Sequence, residues 1–230
     1  MVVIPQDEKA LVDGLNGAAA EVTKRISVIP IAVDTNRLQP AERKPKSKNI
    51  LTLGSLNYPP NADGIRWFAN EIFPLIQQKD PDVTLTIIGK NPPADFVELA
   101  NAQPDVIKVT GYVPDLTPYM EEAALMVVPV RAGSGMRVRL LEAFARAMPS
   151  VTTTIGLEGI EGVHGEHVLL ADDPESFAAE SLRLLQDEAL QQTLSENGRL
   201  LAEQKYDWQV VLGQMDAVYA RAAHKERLHA

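Results

Sequence analysis

The stretch PVRAGSGMRVRLLEAFARA, Pro129–Ala147, decides the fold. An apolar run, Leu125–Val130, leads into it and is typical of a strand covered on both faces. The residues after Gly133–Gly135 predict a helix over Met136–Ala147. Glycines at such a junction let backbone N–H groups approach a phosphate, and the helix N-terminus adds partial positive charge. The stretch therefore predicts one strand–loop–helix unit of an α/β sheet.

The same rhythm of short apolar runs and helical stretches extends on both sides of this unit. The predicted strands are Asn49–Ser55, Val83–Gly89, Val106–Gly111, Leu125–Val130, Ser150–Thr154 and His167–Ala171. The predicted helices between and after them are Asn61–Gln78, Ala94–Ala102, Leu116–Ala124, Met136–Ala147 and Pro174–Gln186. Alternation of this kind predicts a doubly wound, Rossmann-like parallel sheet of about six strands with helices on both faces.

The two ends of the chain depart from that rhythm. Residues 1–48 contain one strand–helix unit beginning at Val2–Pro5, a second apolar run at Ile26–Asp34 and a polar stretch with the composition of a linker. We therefore predict that residues 1–48 are the remnant of an N-terminal domain with a hinge. We further predict that residues 49–187 form the Rossmann-like domain and that residues 188–230 form C-terminal helices.

Composition excludes several classes of protein. The 230 residues carry a net charge of −9 and no basic stripe, so nucleic-acid binding is not expected. No apolar run is long enough to span a bilayer. The chain has no cysteine, which excludes thiolate metal sites and fits a reducing cytoplasm. We expect a cytoplasmic protein that needs neither metal nor cofactor, with any contact to the inner membrane made through the missing domain.

Charged residues near the glycine junction are the first candidates for a site. Arg137 and Arg139 stand where two cationic side chains can clamp a diphosphate, although residues two apart do not share one helical face. Glu142 follows Arg139 by three residues, and its carboxylate can accept hydrogen bonds from ribose hydroxyls. The alternative is a surface ion pair between Arg139 and Glu142, which contributes little to stability.

Three further loops follow predicted strands. Gly54 and Ser55 close the first strand, where they either approach phosphates or form a turn. Backbone groups around Val113 can read a base edge, while Asp115 nearby is equally suited to cap the next helix. The glycine-rich segment IGLEGIEG, Ile155–Gly162, either lines a sugar pocket or turns.

The spacing Gly133-x-Gly135-x-x-Val138 is similar to the dinucleotide fingerprint. Val138 stands where that fingerprint has its third glycine, which permits close packing of helix on strand. The motif also follows the fourth strand of the predicted sheet, whereas the fingerprint follows the first. A dehydrogenase is therefore not expected.

Five segments in order resemble one family, the retaining, GT-B-fold glycosyltransferases known as glycosyl transferases group 1. They are ILTLGSLNYPPNADGIRWFANEIFP, TIIGKNPP, VTGYVPDLTPYM, VVPVRAGSGMRVRLLEAFARAMPSVTTTIGLEGIEG and HVLLADDPESFA. The resemblance covers nearly the whole chain and is to the C-terminal, donor-binding domain. VVIPQDEKALV and ISVIPIAVD resemble the end of the N-terminal domain and the interdomain hinge.

The resemblance implies roles for particular residues. Glu142 matches the glutamate that binds donor ribose, Arg137 and Arg139 match the basic pair that holds the diphosphate, and Val113 matches the position whose backbone meets the base. Ser134 stands where many members carry a second glutamate, and Ser55 stands where many carry a basic residue. The complete set of predicted donor-binding residues is Gly54, Ser55, Val113, Gly133, Ser134, Gly135, Arg137, Arg139 and Glu142, and no catalytic residue is assigned.

The resemblance implies a sugar transfer from a UDP- or GDP-sugar to an unknown glycan or lipid-linked acceptor, with retention, complete only with the missing N-terminal domain. Two other functions stay open at this point. One is half of a GT-B-fold epimerase or phosphorylase, which needs a catalytic pair or a pyridoxal lysine. Lys90 is the lysine at a strand end that would serve there. The other is a non-catalytic interaction module.

Overall fold

The structure is a computed structural model that describes residues 2–3 and 27–227. Strands β1 (Val2–Val3) and β2 (Ser27–Val28) form a small parallel pair. The predicted helix that follows Val2–Pro5 lies outside the described residues.

The main sheet has six parallel strands, as the alternation of strands and helices predicts. They are β3 (Asn49–Leu53), β4 (Thr84–Ile88), β5 (Ile107–Thr110), β6 (Ala123–Val128), β7 (Ser150–Thr152) and β8 (Leu169–Leu170). Their order across the sheet is β5-β4-β3-β6-β7-β8, and every neighbouring pair is parallel. The chain therefore runs outward from β3 to one edge, returns to β6 and continues to the other edge. The doubly wound fold is confirmed.

Helices pack on both faces of this sheet. They are α1 (Pro59–Trp67), α2 (Phe73–Lys79), α3 (Ala94–Ala102), α4 (Thr117–Glu122), α5 (Val138–Ala145), α6 (Thr154–Leu157), α7 (Pro174–Gln186), α8 (Glu188–Leu201) and α9 (Trp208–Arg227). Alternate strand residues enter two separate cores, because successive side chains of a strand point to opposite faces. Ile50 and Leu125 pack in the core that contains Phe68 and Phe177, whereas Leu51 packs in a second core.

The predicted helix Asn61–Gln78 is interrupted by a π-helical turn over Phe68–Ile72. Pro74 explains the interruption, because its ring has no N–H and would collide with the carbonyl four residues earlier in a regular helix. The N–H of Phe73 instead bonds the carbonyl of Phe68, five residues back. The wider turn keeps Phe68 and Ile72 buried. Pro74 therefore causes a local change of helix type, and the chain remains helical through Lys79.

The polar segment that the composition identifies as a linker is bound to the body of the domain. The Arg43 guanidinium donates to the carbonyl of Ala124 at 2.9 Å, to Gln191 at 2.9 Å and to Ser195 at 3.2 Å. Its partners lie at β6 and on α8, so the segment crosses from the sheet to the C-terminal helices. Sequence composition did not reveal this because the attachment consists of individual hydrogen bonds from a polar run, among them those of Arg43 and the backbone bond from Lys44 to Glu121.

Close packing of α1 against the chain after β6 requires a glycine. A Cβ atom on Gly64 would lie 1.9 Å from the carbonyl oxygen of Pro129, well inside van der Waals contact. The middle of α1 therefore lies against the segment that leads from β6 into the glycine junction.

We expect Gly64→Ala to lower the free energy of unfolding by about 3 kcal/mol, because the backbone of Pro129 cannot give way without moving β6. The matched control is Gly213→Ala in α9, where a Cβ meets nothing within 4 Å. That change should raise the free energy of unfolding by about 0.5–1 kcal/mol through helix propensity. Urea unfolding of both variants measures the two effects. Equal stabilities would contradict the close approach of α1 to Pro129.

Candidate functional site

The chain reverses its direction of winding between β3 and β6. These strands are neighbours in the sheet, yet the connection from β3 leads to β4 on one side and that from β6 leads to β7 on the other. Loops at the carboxyl ends of β3 and β6 therefore diverge and leave a crevice, which is where open α/β sheets bind ligands. We name this the switch-point crevice, formed by the loop Gly54–Tyr58 and the loop Pro129–Arg137.

The loop after β6 takes a conformation that its glycines permit. Gly133 has a φ of 110° and Gly135 a φ of 97°, in the region that disfavours residues with a Cβ. Helix α5 then begins at Val138, two residues later than predicted, with Arg137 at its N-cap. Met136 faces inward, and its Sδ accepts the N–H of Ile31 at 3.3 Å. The buried Met136 therefore holds the loop against the core, while Ser134 is exposed.

Arg139 crosses the crevice from α5 to the opposite loop. Its Nη1 donates to the carbonyl of Leu53 at 3.0 Å, and its Nη2 donates to Asn61 Oδ1. Burial lowers the pKa of Arg139 to about 10, with a further contribution from the positive charge of Arg137 and an opposing one from Glu142. The guanidinium therefore remains charged at neutral pH.

Arg137 ends the loop Pro129–Arg137, which we call the glycine loop because it contains Gly133 and Gly135. Its Nη1 donates to the carbonyl of Ser134 at 3.0 Å and its Nη2 to the carbonyl of Gly133 at 2.9 Å. Its Nε is buried and has no hydrogen-bond partner among the described residues. The two arginines therefore reach the crevice from different sides, in agreement with the expectation that residues two apart do not share a helical face.

Neither arginine is neutralised by a carboxylate within ion-pair distance in residues 27–221. Four other arginines of this acidic chain, Arg66, Arg131, Arg183 and Arg199, are each paired with a carboxylate. Arg131, six residues before Arg137, donates to both oxygens of Asp63, at 2.7 and 3.1 Å. Arg137 and Arg139 instead bond neutral oxygens only. The crevice therefore carries two positive charges without a matching negative charge.

Glu142 lies one turn beyond Arg139 and is half-buried. Burial raises its pKa, against the opposing effect of the positive charges of Arg146 and Arg139. The surface ion pair between Arg139 and Glu142, weighed as an alternative, does not form within 4 Å. Over the described part of the chain, the Glu142 carboxylate has no hydrogen-bond donor, so a partly desolvated acceptor lies beside the two cations.

The loop after β3 leaves room for the Arg139 side chain. The N–H of Gly54 bonds the carbonyl of Ile88 at 2.9 Å, so it is used within the sheet. A Cβ on Gly54 would lie 2.6 Å from Arg139 Nη1, which explains the glycine. Ser55 donates its hydroxyl to Asn57 at 2.6 Å, and its carbonyl accepts from Asn61. Gly54 therefore makes room for the arginine that crosses the crevice.

Val113 lies farther from the two arginines than the other predicted residues. It follows β5, which β4 separates from β3, so strand spacing places it about 10 Å from the crevice along the sheet. Asp115 accepts the N–H of Thr117, the first residue of α4, at 2.9 Å, and this bond lowers its pKa. The N-cap position itself is Leu116, one residue later than the Asp115 cap that the sequence suggests.

Threonines at the end of β7 belong to the same edge of the sheet and were missed in the sequence. Thr152 donates to the carbonyl of Val128 at 2.7 Å, and Thr153 donates to the carbonyl of Val130. Thr154 bonds Asp172 through both its N–H and its hydroxyl, at 2.7 and 2.6 Å. Three consecutive threonines at a strand end are the sequence signal for these contacts, because each hydroxyl donates to a residue of a neighbouring segment.

Other features of residues 27–227 do not add to the crevice. No group of three or more acidic or histidine side chains within this range is placed to hold a metal ion. None of the helices described there is long and apolar enough to cross a membrane. One cavity, whose lining does not include Arg137 or Arg139, is lined by Val28, Pro30, Gly159, Ile160, Glu161, Lys205, Tyr206 and Gln214.

Several curated proteins have sequences similar to that of this chain. The chain is 26% identical over 205 residues to MMP alpha-(1->4)-mannosyltransferase from Mycolicibacterium hassiacum, covering 86% of this chain and 49% of that protein. It is 27% identical over 165 residues to an uncharacterised 44.6 kDa protein of the cps region of Klebsiella pneumoniae, covering 69% and 42%. The chain thus spans about half the length of the curated relatives it matches.

Solved structures share the fold. The structure of Anabaena Alr3699/HepE in complex with UDP matches with a TM-score of 0.77 at 15% identity, covering 96% of this chain and 63% of that one. The family model of glycosyl transferases group 1 matches residues 47–187, more than half of the chain. This protein therefore belongs to the glycosyl transferases group 1 family.

Proposed function

We propose that this chain binds a nucleotide-diphosphate sugar, UDP- or GDP-linked, and is the donor half of a retaining hexosyltransferase. The acceptor, a glycan or lipid-linked sugar, would be bound largely by an N-terminal domain. The observation that carries the proposal is the pair Arg137 and Arg139, which bring two unpaired positive charges to the switch-point crevice.

A diphosphate fits the charges of the crevice. In a chain of net charge −9, an anion is attracted only where positive charge is concentrated locally. Arg137 now bonds two loop carbonyls, which a phosphate can replace with stronger, charge-assisted bonds. Arg139 is already fixed by Leu53 and Asn61, so it loses little freedom on binding. The N-terminus of α5 adds partial positive charge.

The ribose of the donor fits next to Glu142. A half-buried carboxylate without a hydrogen-bond donor is costly in the free protein, and two hydroxyl groups would satisfy it. The order along α5 from Arg137 to Glu142 then follows the order from diphosphate to ribose. Val113 lies on the side of the sheet where the base would follow, with its backbone as the contact.

The chemistry expected of such a site is positioning together with stabilisation of the departing diphosphate. Fixed cations in a partly desolvated crevice stabilise negative charge that grows in the transition state. The family assignment and the UDP bound by the structural neighbour support this donor class over an epimerase half or an interaction module. We place the protein in the cytoplasm, consistent with the absence of cysteine.

Calorimetry of the 230-residue chain tests the proposal directly. We expect UDP or GDP to bind, and the corresponding monophosphate to bind about tenfold more weakly, because it lacks one charged group for the arginines. Glu142→Ala should weaken the diphosphate by about tenfold through loss of the ribose bonds. Glu98→Ala, on the exposed face of α3, is the control and should change nothing. No binding of either diphosphate at millimolar concentration would refute the proposal.

Arg137→Ala should weaken UDP or GDP binding by about tenfold, because one charge-assisted contact is lost. The dependence of affinity on salt should also become shallower. The control is Arg183→Ala on α7, an exposed arginine paired with Glu180, which should leave the affinity unchanged. If both substitutions weaken binding equally, the effect comes from net charge and Arg137 has no specific role.

Glu142 should also reduce stability as the pH rises. Because burial raises its folded-state pKa above the ordinary 4.5, the folded protein holds the proton more tightly than the unfolded chain does. The wild type should therefore lose free energy of unfolding, relative to Glu142→Gln, as the pH rises from 4.5 through the raised value. Urea unfolding of both proteins between about pH 4 and pH 8 measures the difference. Parallel profiles would show that the carboxylate is not desolvated.

A further inference from the structure

The glycine-rich turn Gly159–Gly162 is held from outside the sheet by two neighbouring residues. The Tyr206 hydroxyl accepts the backbone N–H of Glu161 at 2.7 Å. Lys205 forms an ion pair with the Glu161 carboxylate at 3.2 Å, with both side chains largely exposed. Exposed ion pairs contribute little, so the buried hydroxyl is the contact that fixes the turn.

Tyr206 is buried, and its backbone and its neighbour Asp207 make several hydrogen bonds. It ends a π-helical turn, Ala202–Tyr206, and its side chain is 2% exposed. Its carbonyl accepts the N–H of Val33 at 2.8 Å, in the segment that the sequence identifies as a hinge. Asp207 next to it accepts both the N–H and the hydroxyl of Thr35, at 3.2 and 2.6 Å. The Tyr206 hydroxyl is therefore a rigid support for the turn.

The turn follows β7, whereas the glycine loop follows β6, so both lie at the carboxyl edge of the sheet. β7 is the neighbour of β6, and Thr153 at its end bonds the carbonyl of Val130, where the glycine loop begins. Ile160 of the turn and Met136 of the glycine loop belong to one buried core, together with Tyr206. The turn and the glycine loop therefore both pack against this core, and Thr153 ties the end of β7 to the start of the glycine loop.

We propose that Tyr206 is a positioning residue that holds the turn Gly159–Gly162 against the sugar portion of the donor. This inference rests on the proposed function. The diphosphate lies at Arg137 and Arg139, and the base and ribose extend toward β5, so the sugar extends the other way, toward the turn after β7. The Tyr206 hydroxyl sets the position of that turn through the Glu161 backbone.

Tyr206→Phe removes only the hydroxyl and keeps the buried ring. The probes are UDP-glucose, UDP-N-acetylglucosamine and GDP-mannose, together with free UDP and GDP. For the nucleotide sugar that the wild type binds most tightly, we expect the affinity of Tyr206→Phe to fall about fivefold, the effect of one neutral hydrogen bond. The affinity for the matching free diphosphate should change less than twofold. Amide hydrogen exchange at Glu161 should become faster.

Tyr219→Phe, an exposed tyrosine on α9, is the matched control and should leave every reading unchanged. Equal loss for the nucleotide sugar and the free diphosphate would show that Tyr206 only supports the fold and would overturn the inference. Unchanged sugar affinity and unchanged exchange at Glu161 would overturn it as well. A wild type that binds none of the five probes would instead refute the proposed function, so the two failures are distinguishable.

Discussion

The bond pair from Arg139 to Leu53 and Asn61 is the contact on which the site depends. It joins the helix after β6 to the end of β3 and the start of α1, across the one place where the sheet reverses its winding. Two nearby features accommodate it. Gly54 has no Cβ that would collide with the guanidinium, and Gly64 lets α1 approach Pro129 closely. The arrangement of the two loops at the crevice therefore depends on one partly buried cation.

Burying that cation without a carboxylate is costly, since a desolvated charge needs compensation. The chain bears the cost at Arg139 and again, with opposite sign, at Glu142, whose pKa is raised by burial. Among residues 27–221, neither group has an oppositely charged partner within 4 Å. By contrast, Arg131 and Asp63 form an ion pair at 2.7 Å.

A second set of contacts connects the crevice to the segment before β3. Ile31 bonds Met136 of the glycine loop, and Val33 bonds the carbonyl of Tyr206, whose hydroxyl holds Glu161. The same short segment thus contacts the supports of both the glycine loop and the turn Gly159–Gly162.

The sequence by itself determined the sheet, because six apolar runs separated by helical stretches have only a few right-handed arrangements. It also placed Arg137, Arg139 and Glu142 after one strand end, although their roles in binding stay predictions. Only the tertiary structure decided which partners those charges have, since Leu53, Asn61 and the loop carbonyls are remote in sequence or belong to the backbone. The bonds of Arg43, of the Tyr206 hydroxyl and of Thr153 to Val130 are likewise made between residues remote in sequence. Periodicity records which face of an element is buried, whereas bonds of this kind depend on where the fold brings distant residues together.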